Sequence, residues 1–180
     1  MSKTAALLLL CTALLCVVAC GQKNEPQKET FTDPRDKKIY KTVKIGEQVW
    51  MAENLNIKTG DSKCNEDDES NCQKYGRLYD WETAKTTCPK EWHLPSNVEW
   101  NKLMNFAGGD KAAEKLKAKS WNGVDAFGFS ALSGGWWSSS EEGVYNYKYN
   151  YDGFIFYSGE QAYNEDYTEN YFNYVRCIKD

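Results

Sequence analysis

Four cysteines beyond residue 60 constrain the fold of this chain more than any other feature. They are Cys64, Cys72, Cys88 and Cys177, and four cysteines permit three pairings. Cys64 and Cys72 enclose a polar segment that has no means of burying itself, so a local bridge is the natural constraint there. Cys88 is then left to pair with Cys177, and this bridge would tie the middle of the chain to its end.

A disulfide framework is typical of exported proteins, and the first twenty residues predict export. Lys3 precedes an apolar run over residues 5–15, which is too short for a comfortable membrane span and is typical of a signal peptide. Small residues then lead into Cys20, an ending that resembles the lipobox of bacterial lipoproteins. The resemblance implies a lipid on Cys20 that attaches the protein to a membrane, whereas ordinary signal cleavage would leave an unmodified thiol. Gly21, in place of aspartate, favours the outer membrane.

Metal binding is the alternative use of the four cysteines. No C-x-x-C pair occurs and His93 is the only histidine, so disulfides are favoured over zinc. The acidic segment at residues 66–69 lacks the spacing and the turn glycine of an EF-hand, and we expect it to be a solvated loop. The sequence therefore predicts neither a metal nor a cofactor.

Length and charge limit the domain organisation and the class of partner. We expect a signal peptide at residues 1–20, a polar flexible tether at 21–32 and one folded domain at 33–180. The chain carries 22 basic and 26 acidic side chains. An acidic balance without a basic cluster argues against nucleic-acid binding.

Local patterns predict an α+β fold in which two to three short helices pack on small antiparallel sheets. β-Branched and aromatic residues flank Gly46 and Glu47, which predicts a hairpin near residues 38–52. Glycine at the first position of a two-residue turn suits a type II′ turn.

Helix signals lie in the middle of the chain. Asp80 is a candidate N-cap for a first helix that Pro89 terminates. Ser96 and Glu99 have the spacing of a capping box for a second helix. A third, weaker helix is predicted over residues 111–117.

A run of tyrosines near residue 150 is the most unusual local pattern. Tyrosines alternate with polar residues over 145–151, and Asp152-Gly153 is a type I′ turn signal, so a hairpin over 144–157 would place at least six rings on one face. That face is either the core of a sheet or an exposed platform. Because buried phenols need hydrogen-bond partners, part of the face is expected to lie near solvent.

Six sequence blocks occur in a specific order between residues 41 and 180. They are K-T-V-K-I-G-E-Q-V-W-M-A-E-N-L-N (41–56), Y-G-R-L-Y-D-W-E-T-A (75–84), C-P-K-E-W-H-L-P-S-N-V-E-W (88–100), D-A-F-G-F-S-A-L-S-G-G (125–135), W-W-S-S-S-E (136–141) and V-R-C-I-K-D (175–180). In this order they closely resemble the Fibrobacter succinogenes major paralogous domain, over about residues 32–180. That family is similar in turn to the C-type lectin-like and sulfatase-modifying-factor folds.

The resemblance implies a C-type lectin-like fold stapled by disulfides. In the shared pattern, a helix-borne cysteine pairs with one near the terminus, and an H-L-P turn leads into an acidic, tryptophan-containing helix, as at Cys88, His93 and Cys177. One departure is that Gly135 runs directly into Trp136, whereas the family usually has a longer segment there. The loop that carries ligands in lectin-like folds is therefore short.

Function is predicted as non-catalytic binding of a polysaccharide or another cell-surface ligand by a domain anchored in the envelope. A structural or assembly role in the outer envelope is the alternative, and a carbohydrate-active enzyme is the third. A catalytic triad would have to use His93, which is better explained as a structural imidazole, and no pair of carboxylates stands out. The candidate ligand-binding residues are Trp136, Trp137, Tyr145, Tyr147, Tyr149, Asn146 and Asn150.

Overall fold

Two five-stranded sheets of short strands, together with short helices, form the folded part of the chain. The computed structural model describes residues 28–132, 134–140, 154–157 and 172–180. Ten strands and four α-helices lie in these ranges, which confirms the predicted α+β class. None of the helices in these ranges has the length and apolarity needed to cross a membrane.

The first sheet is antiparallel and contains the predicted hairpin. Its strands lie in the order β1-β2-β3-β10-β6, so the strand near the chain end enters between β3 and β6. Gly46 turns the hairpin with a φ of 60°, a left-handed value that favours glycine. The five strands are β1 (Lys28–Thr32), β2 (Ile39–Ile45), β3 (Gln48–Met51), β6 (Trp92–His93) and β10 (Ile178–Lys179).

Strand β1 corrects the predicted domain boundary. Lys28 and Thr32 were expected in the flexible tether of residues 21–32, but Lys28 pairs with Val43 and Thr32 with Ile39. The polar composition of this segment suits an edge strand, because most of its side chains face solvent. The folded domain therefore begins no later than residue 28.

The second sheet is mixed, which differs from the expectation of antiparallel sheets only. Strand β7 runs parallel to both of its neighbours, β8 and β9, in the order β4-β5-β9-β7-β8. The tyrosines predicted to pair with residues 154 and 156 lie outside the described residues, so that hairpin stays a prediction. The five strands are β4 (Ser62–Lys63), β5 (Leu78–Tyr79), β7 (Gly134–Trp137), β8 (Phe154–Tyr157) and β9 (Asn173–Tyr174).

Side-chain caps set the starts of three of the helices. Asp68, Asp80 and Ser96 each accept a hydrogen bond from a backbone N–H of the first turn, and Ser96 and Glu99 form the predicted capping box. The helix that Asp68 caps was not predicted, and its first residue, Glu69, had been assigned to a solvated loop of residues 66–69. The helices are α1 (Glu69–Tyr75), α2 (Trp81–Thr87), α3 (Asn97–Ala107) and α4 (Ala112–Leu116).

The predicted disulfide pairing is confirmed. Cys64 is bonded to Cys72, eight residues away, and Cys88 to Cys177, 89 residues away. The long bridge joins the end of α2 to the segment between β9 and β10, and the short one fixes α1 to the end of β4. The long bridge therefore ties the middle of the chain to its C-terminal segment, and the short bridge closes a local loop.

The core is rich in tryptophan. Six of the seven tryptophans are buried, and they belong to two apolar clusters that lie on the two sides of the first sheet. Trp121 is the exception, with 41% of its surface exposed. Because the domain buries its other six tryptophans, the exposed ring of Trp121 indicates a candidate interaction surface.

Candidate binding site

Trp136 and Trp137 are core residues, which corrects the prediction that they bind ligand. Both are 0% exposed. The Trp136 indole donates to Oδ1 of Asn54 at 2.9 Å, and the Trp137 indole donates to the carbonyl oxygen of Tyr79 at 2.6 Å. A ring enclosed in this way has no face to offer a sugar. Both rings belong to strand β7, and their burial depends on partners distant in the sequence.

The remaining predicted ligand-binding residues, Tyr145, Asn146, Tyr147, Tyr149 and Asn150, lie outside the described residues, as does the predicted lipidation site Cys20. Their assignments stay predictions.

An aromatic cleft of about 370 Å³ lies between the second sheet and helix α1. Its volume is within the range of about 300–1,000 Å³ that is usual for small-ligand sites. Three aromatic side chains on its wall, Tyr75, Trp121 and Phe172, are only partly buried or exposed. The aromatic cleft is lined by Asn65, Tyr75, Leu78, Trp121, Gly134, Gly135, Phe172, Asn173 and Tyr174.

Two asparagines, Asn65 and Asn173, contribute amide groups to the lining of the aromatic cleft. Asn173 is 7% exposed, and its Nδ2 donor has no hydrogen-bond partner among the described residues. Leaving a buried amide donor unpaired costs roughly 1–3 kcal/mol, so such a group calls for an explanation. Asn173 is also one of the residues that line the cleft.

A tight loop presents Trp121 to the aromatic cleft. The 3-10 turn Lys119–Trp121 ends at Asn122, which has a φ of 60°, and the N–H of Gly123 donates to the carbonyl of Ala118 at 3.1 Å. A side chain at Gly123 would place its Cβ 2.1 Å from the carbonyl oxygen of Lys117. Only glycine allows the chain to fold back this closely, and the fold-back holds Trp121 outward.

Tyr75 is positioned from two sides. It is the last residue of α1, which the bridge between Cys64 and Cys72 fixes to β4. Its carbonyl oxygen accepts a hydrogen bond of 2.8 Å from Nδ2 of Asn54. The following residue, Gly76, has a φ of 85°, and a Cβ there would lie 2.7 Å from Cβ of Asn54. Asn54 therefore holds the C-terminal end of α1 against the first sheet.

A second, polar cleft of about 410 Å³ also contacts Tyr75. Its deepest residue is Arg176, which is 1% exposed. Burial lowers the pKa of Arg176 to about 9, against the smaller raising effects of Glu53 and Asp125, so the guanidinium is still charged at neutral pH. The polar cleft is lined by Lys38, Lys41, Ala52, Glu53, Asn54, Gln73, Lys74, Tyr75, Gly76, Ala118, Lys119, Ser120, Asp125, Ser130, Leu132 and Arg176.

His93 is placed as a structural residue and not beside a nucleophile. Its Nδ1 lies 2.6 Å from Oδ1 of Asp180, and its Nε2 lies 2.8 Å from Oε1 of Glu99. Ser96, the nearest hydroxyl of that network, is hydrogen-bonded to Glu99 and not to the imidazole. Both ring nitrogens are thus occupied by carboxylates, which leaves neither to activate a serine.

One group of potential metal ligands occurs in the described ranges, and it consists of Cys64, Glu69 and Cys72. The two sulfurs are joined in a disulfide, so they are not available as thiolates. Glu69 instead forms an ion pair with Arg77.

Sequence reasoning missed the residues of both clefts. The signals that could have found the aromatic cleft are the exposed-turn pattern Trp121-Asn122-Gly123 and the alternation Phe172-Asn173-Tyr174. Arg176 was noted only as part of a family pattern. The clefts join residues from distant parts of the chain, and no local pattern reveals such a juxtaposition.

Comparison with known proteins identifies one family. The family described as Fibrobacter succinogenes major domain matches residues 43–179. No curated protein and no solved structure gives a significant match to the chain.

Proposed function

Because the chain belongs to the Fibrobacter succinogenes major domain family, whose name assigns no activity, we propose from its own geometry that it is a non-catalytic polysaccharide-binding domain. The observation that carries the proposal is the aromatic cleft, whose lining combines exposed and partly buried aromatic rings with an amide donor that has no partner among the described residues.

The chemistry of a sugar ring fits this cleft. One face of a pyranose presents C–H groups, which pack on a flat aromatic ring, while hydroxyls project from its edge. Trp121, Tyr75 and Phe172 supply the rings, and Nδ2 of Asn173 supplies a donor for a hydroxyl oxygen. The Nζ of Lys63 lies 4.1 Å from the centre of the Phe172 ring, which orients that ring without covering both of its faces.

The test is binding of the full-length protein, purified in detergent, to soluble xylan and to insoluble cellulose. Trp121→Ala should lower retention at least about tenfold, because aromatic anchors of this size contribute 2 kcal/mol or more at binding hot spots. Phe106→Ala is the matched control, since Phe106 is 55% exposed but lies on α3 outside the cleft. Equal retention of both variants and the unaltered protein would show that the aromatic cleft is not the glycan-binding site.

If no polysaccharide is retained, the alternative is a structural role in the envelope. Cross-linking of the protein in intact cells to a defined envelope protein, without glycan binding, would support that alternative. Release of reducing sugar from a bound polymer would instead support an enzyme.

We also propose that a lipid on Cys20 anchors the domain in the outer membrane. The basic start, the short apolar run and the small residues before Cys20 support the proposal. Mass spectrometry of the N-terminal peptide tests it directly. Cys20→Ala should move the protein from the membrane fraction to the soluble fraction, and membrane retention of that variant would count against the anchor.

For the fold, we propose a C-type lectin-like arrangement. The long bridge from the end of α2 to Cys177 and the insertion of β10 between β3 and β6 support it, since they match the pattern that the family resemblance implies. An experimental structure that superposes poorly on lectin-like domains would overturn this assignment.

A further inference from the structure

The polar cleft concentrates positive charge on an acidic protein. Four lysines, Lys38, Lys41, Lys74 and Lys119, line it together with Arg176, whereas the whole chain has a net charge of −4. Clefts lined by one sign of charge attract ligands of the opposite sign.

The two carboxylates of the cleft are already engaged. Glu53 accepts hydrogen bonds from the backbone N–H of Lys41 at 2.8 Å and from its Nζ at 3.4 Å. Asp125 accepts from the N–H and the hydroxyl of Ser130, both at 2.8 Å. Three of the lysines and the arginine are therefore left without a carboxylate partner in the described parts of the chain.

Arg176 is the strongest indication of an anion. Its Nε and Nη2 donate to Oδ1 of Asn54 at 3.1 and 2.8 Å, and its Nη1 donates to the carbonyl oxygen of Phe129. All of these partners are neutral, and the guanidinium has five N–H donors. Glu53 and Asp125 stabilise this charge through space but do not hydrogen-bond to it. Burial of a charge without a hydrogen-bonded counter-ion is costly, and an anion in the cleft would offset that cost.

The polar cleft lies next to the aromatic cleft, and the end of helix α1 and one 3-10 turn contribute residues to both clefts. Tyr75 lines both clefts. In the 3-10 turn Lys119–Trp121, Lys119 and Ser120 line the polar cleft while Trp121 lines the aromatic one. A polymer that rests one ring on Trp121 would reach the lysines with the next ring or with a substituent.

We propose that the polar cleft binds the carboxylate of a uronic acid residue, so that the preferred ligand is an acidic polysaccharide. This inference rests on the proposed polysaccharide-binding function and deepens it. The carboxylate lies between Lys119, Lys38 and the donors of Arg176, and the neighbouring sugar ring occupies the aromatic cleft. Of the five N–H donors of Arg176, the three hydrogen bonds to Asn54 and Phe129 leave two that can donate to a carboxylate oxygen.

Polygalacturonate and its fully methyl-esterified form are the matched probes, since they share a backbone and differ in the charge of the carboxyl group. The full-length protein should bind the acidic polymer at least about fivefold more tightly at low salt, and the difference should shrink as salt is added. Lys38→Gln and Lys119→Gln should each lower affinity for the acidic polymer about fivefold and leave the esterified polymer unaffected. Lys44→Gln is the control, because Lys44 is exposed and lies in neither cleft.

The outcomes separate this inference from the proposed function. Equal binding of both polymers overturns the carboxylate site and leaves polysaccharide binding intact. Binding of neither galacturonan, with retention on xylan or cellulose, overturns the carboxylate site and leaves the proposed function intact. If the protein is retained on no polysaccharide, the proposed function is overturned, and titration of the protein with sodium galacturonate then decides the anion site: saturable binding that Lys119→Gln weakens supports the site, and its absence overturns it. Competition by inorganic phosphate but not by galacturonate would also overturn it in favour of a phosphate site.

Discussion

Asp180 holds the imidazole of His93 through an oxygen–nitrogen contact of 2.6 Å, which joins the residue that follows strand β10 to strand β6. On the other side of the ring, Glu99 accepts from Nε2 while its second oxygen closes the capping box with Ser96. The network therefore connects the first sheet to the start of α3.

This network predicts a pH dependence of stability. Partial burial is the largest influence on His93 and acts to lower its pKa, but the hydrogen bonds to Asp180 and Glu99 together raise the pKa above the ordinary 6.5. A raised pKa in the folded state means that the stabilisation is complete below about pH 6.5 and is lost as the pH rises through the folded value.

Glu99 acts in the opposite direction. Burial, its largest influence, acts to raise its pKa, but the hydrogen bonds from Ser96 and His93 lower the pKa below the ordinary 4.5. Its stabilisation is complete above about pH 4.5 and is lost as the pH falls through the folded value.

The midpoint of thermal unfolding should therefore be highest at a pH between these two transitions. His93→Gln should remove the decline on the alkaline side, and a parallel decline in that variant would contradict the assignment. Since His93 is the only histidine, NMR titration reports its pKa without ambiguity.

The two disulfides should contribute unequally to stability. By the loop-entropy model, the bridge across 89 residues contributes about 4–5 kcal/mol and the bridge across eight residues about 2.5 kcal/mol. The double variant Cys88→Ala/Cys177→Ala should therefore unfold at lower urea concentration than Cys64→Ala/Cys72→Ala. Under conditions in which both variants are folded, Cys64→Ala/Cys72→Ala should bind glycan more weakly than Cys88→Ala/Cys177→Ala. The reason is that Cys72 and Tyr75 share helix α1. Equal effects on urea unfolding would argue against the entropic account.

Asn54 should be critical to stability despite its small size. Its Oδ1 accepts from Arg176 and Trp136, and its Nδ2 donates to Tyr75. Asn54→Ala removes the acceptor of a buried guanidinium and should lower the free energy of unfolding by roughly 3 kcal/mol. Asn105→Ala, on the exposed side of α3, is the control and should change it by less than about 0.5 kcal/mol. Similar small losses in both variants would show that water replaces Asn54.

Gly123 should not tolerate alanine. The added Cβ would lie 2.1 Å from the carbonyl oxygen of Lys117, so the loop that presents Trp121 must move. We expect a loss of about 1–3 kcal/mol in the free energy of unfolding, together with weaker glycan binding. Gly60→Ala is the matched control, because a Cβ there meets nothing within 4 Å. Denaturant unfolding and polymer retention measured on both variants test the prediction. Unchanged retention by Gly123→Ala would show that the position of Trp121 does not affect glycan binding.

The features that could be predicted from the sequence depend on local chemistry. The cap residues Asp80 and Ser96 and the turn at Gly46 act within a few residues of their own position, and the structure confirms them. The cysteine pairing could be predicted because one pair is close in sequence and the other follows by elimination.

The exposure of aromatic residues could not be predicted in this way. Trp121 and Trp136 both lie in glycine-rich sequence, yet one is in solvent and the other is enclosed. The difference arises from tertiary partners. Trp136 donates to Asn54, which lies 82 residues earlier in the chain, while the fold-back at Gly123 turns Trp121 outward. Helix α1 was missed because an acidic segment appeared solvated, although Asp68 caps it.

Strand β1 also limits how far the domain can reach. If Cys20 carries a lipid, only residues 21–27 separate it from the sheet, and seven residues span at most about 25 Å when fully extended. A domain of this size is roughly 30–40 Å across, so the tether is shorter than the diameter of the domain. Such a domain can sample the surface of its own membrane, and it would meet a long polymer by capturing chains that pass close to the bilayer.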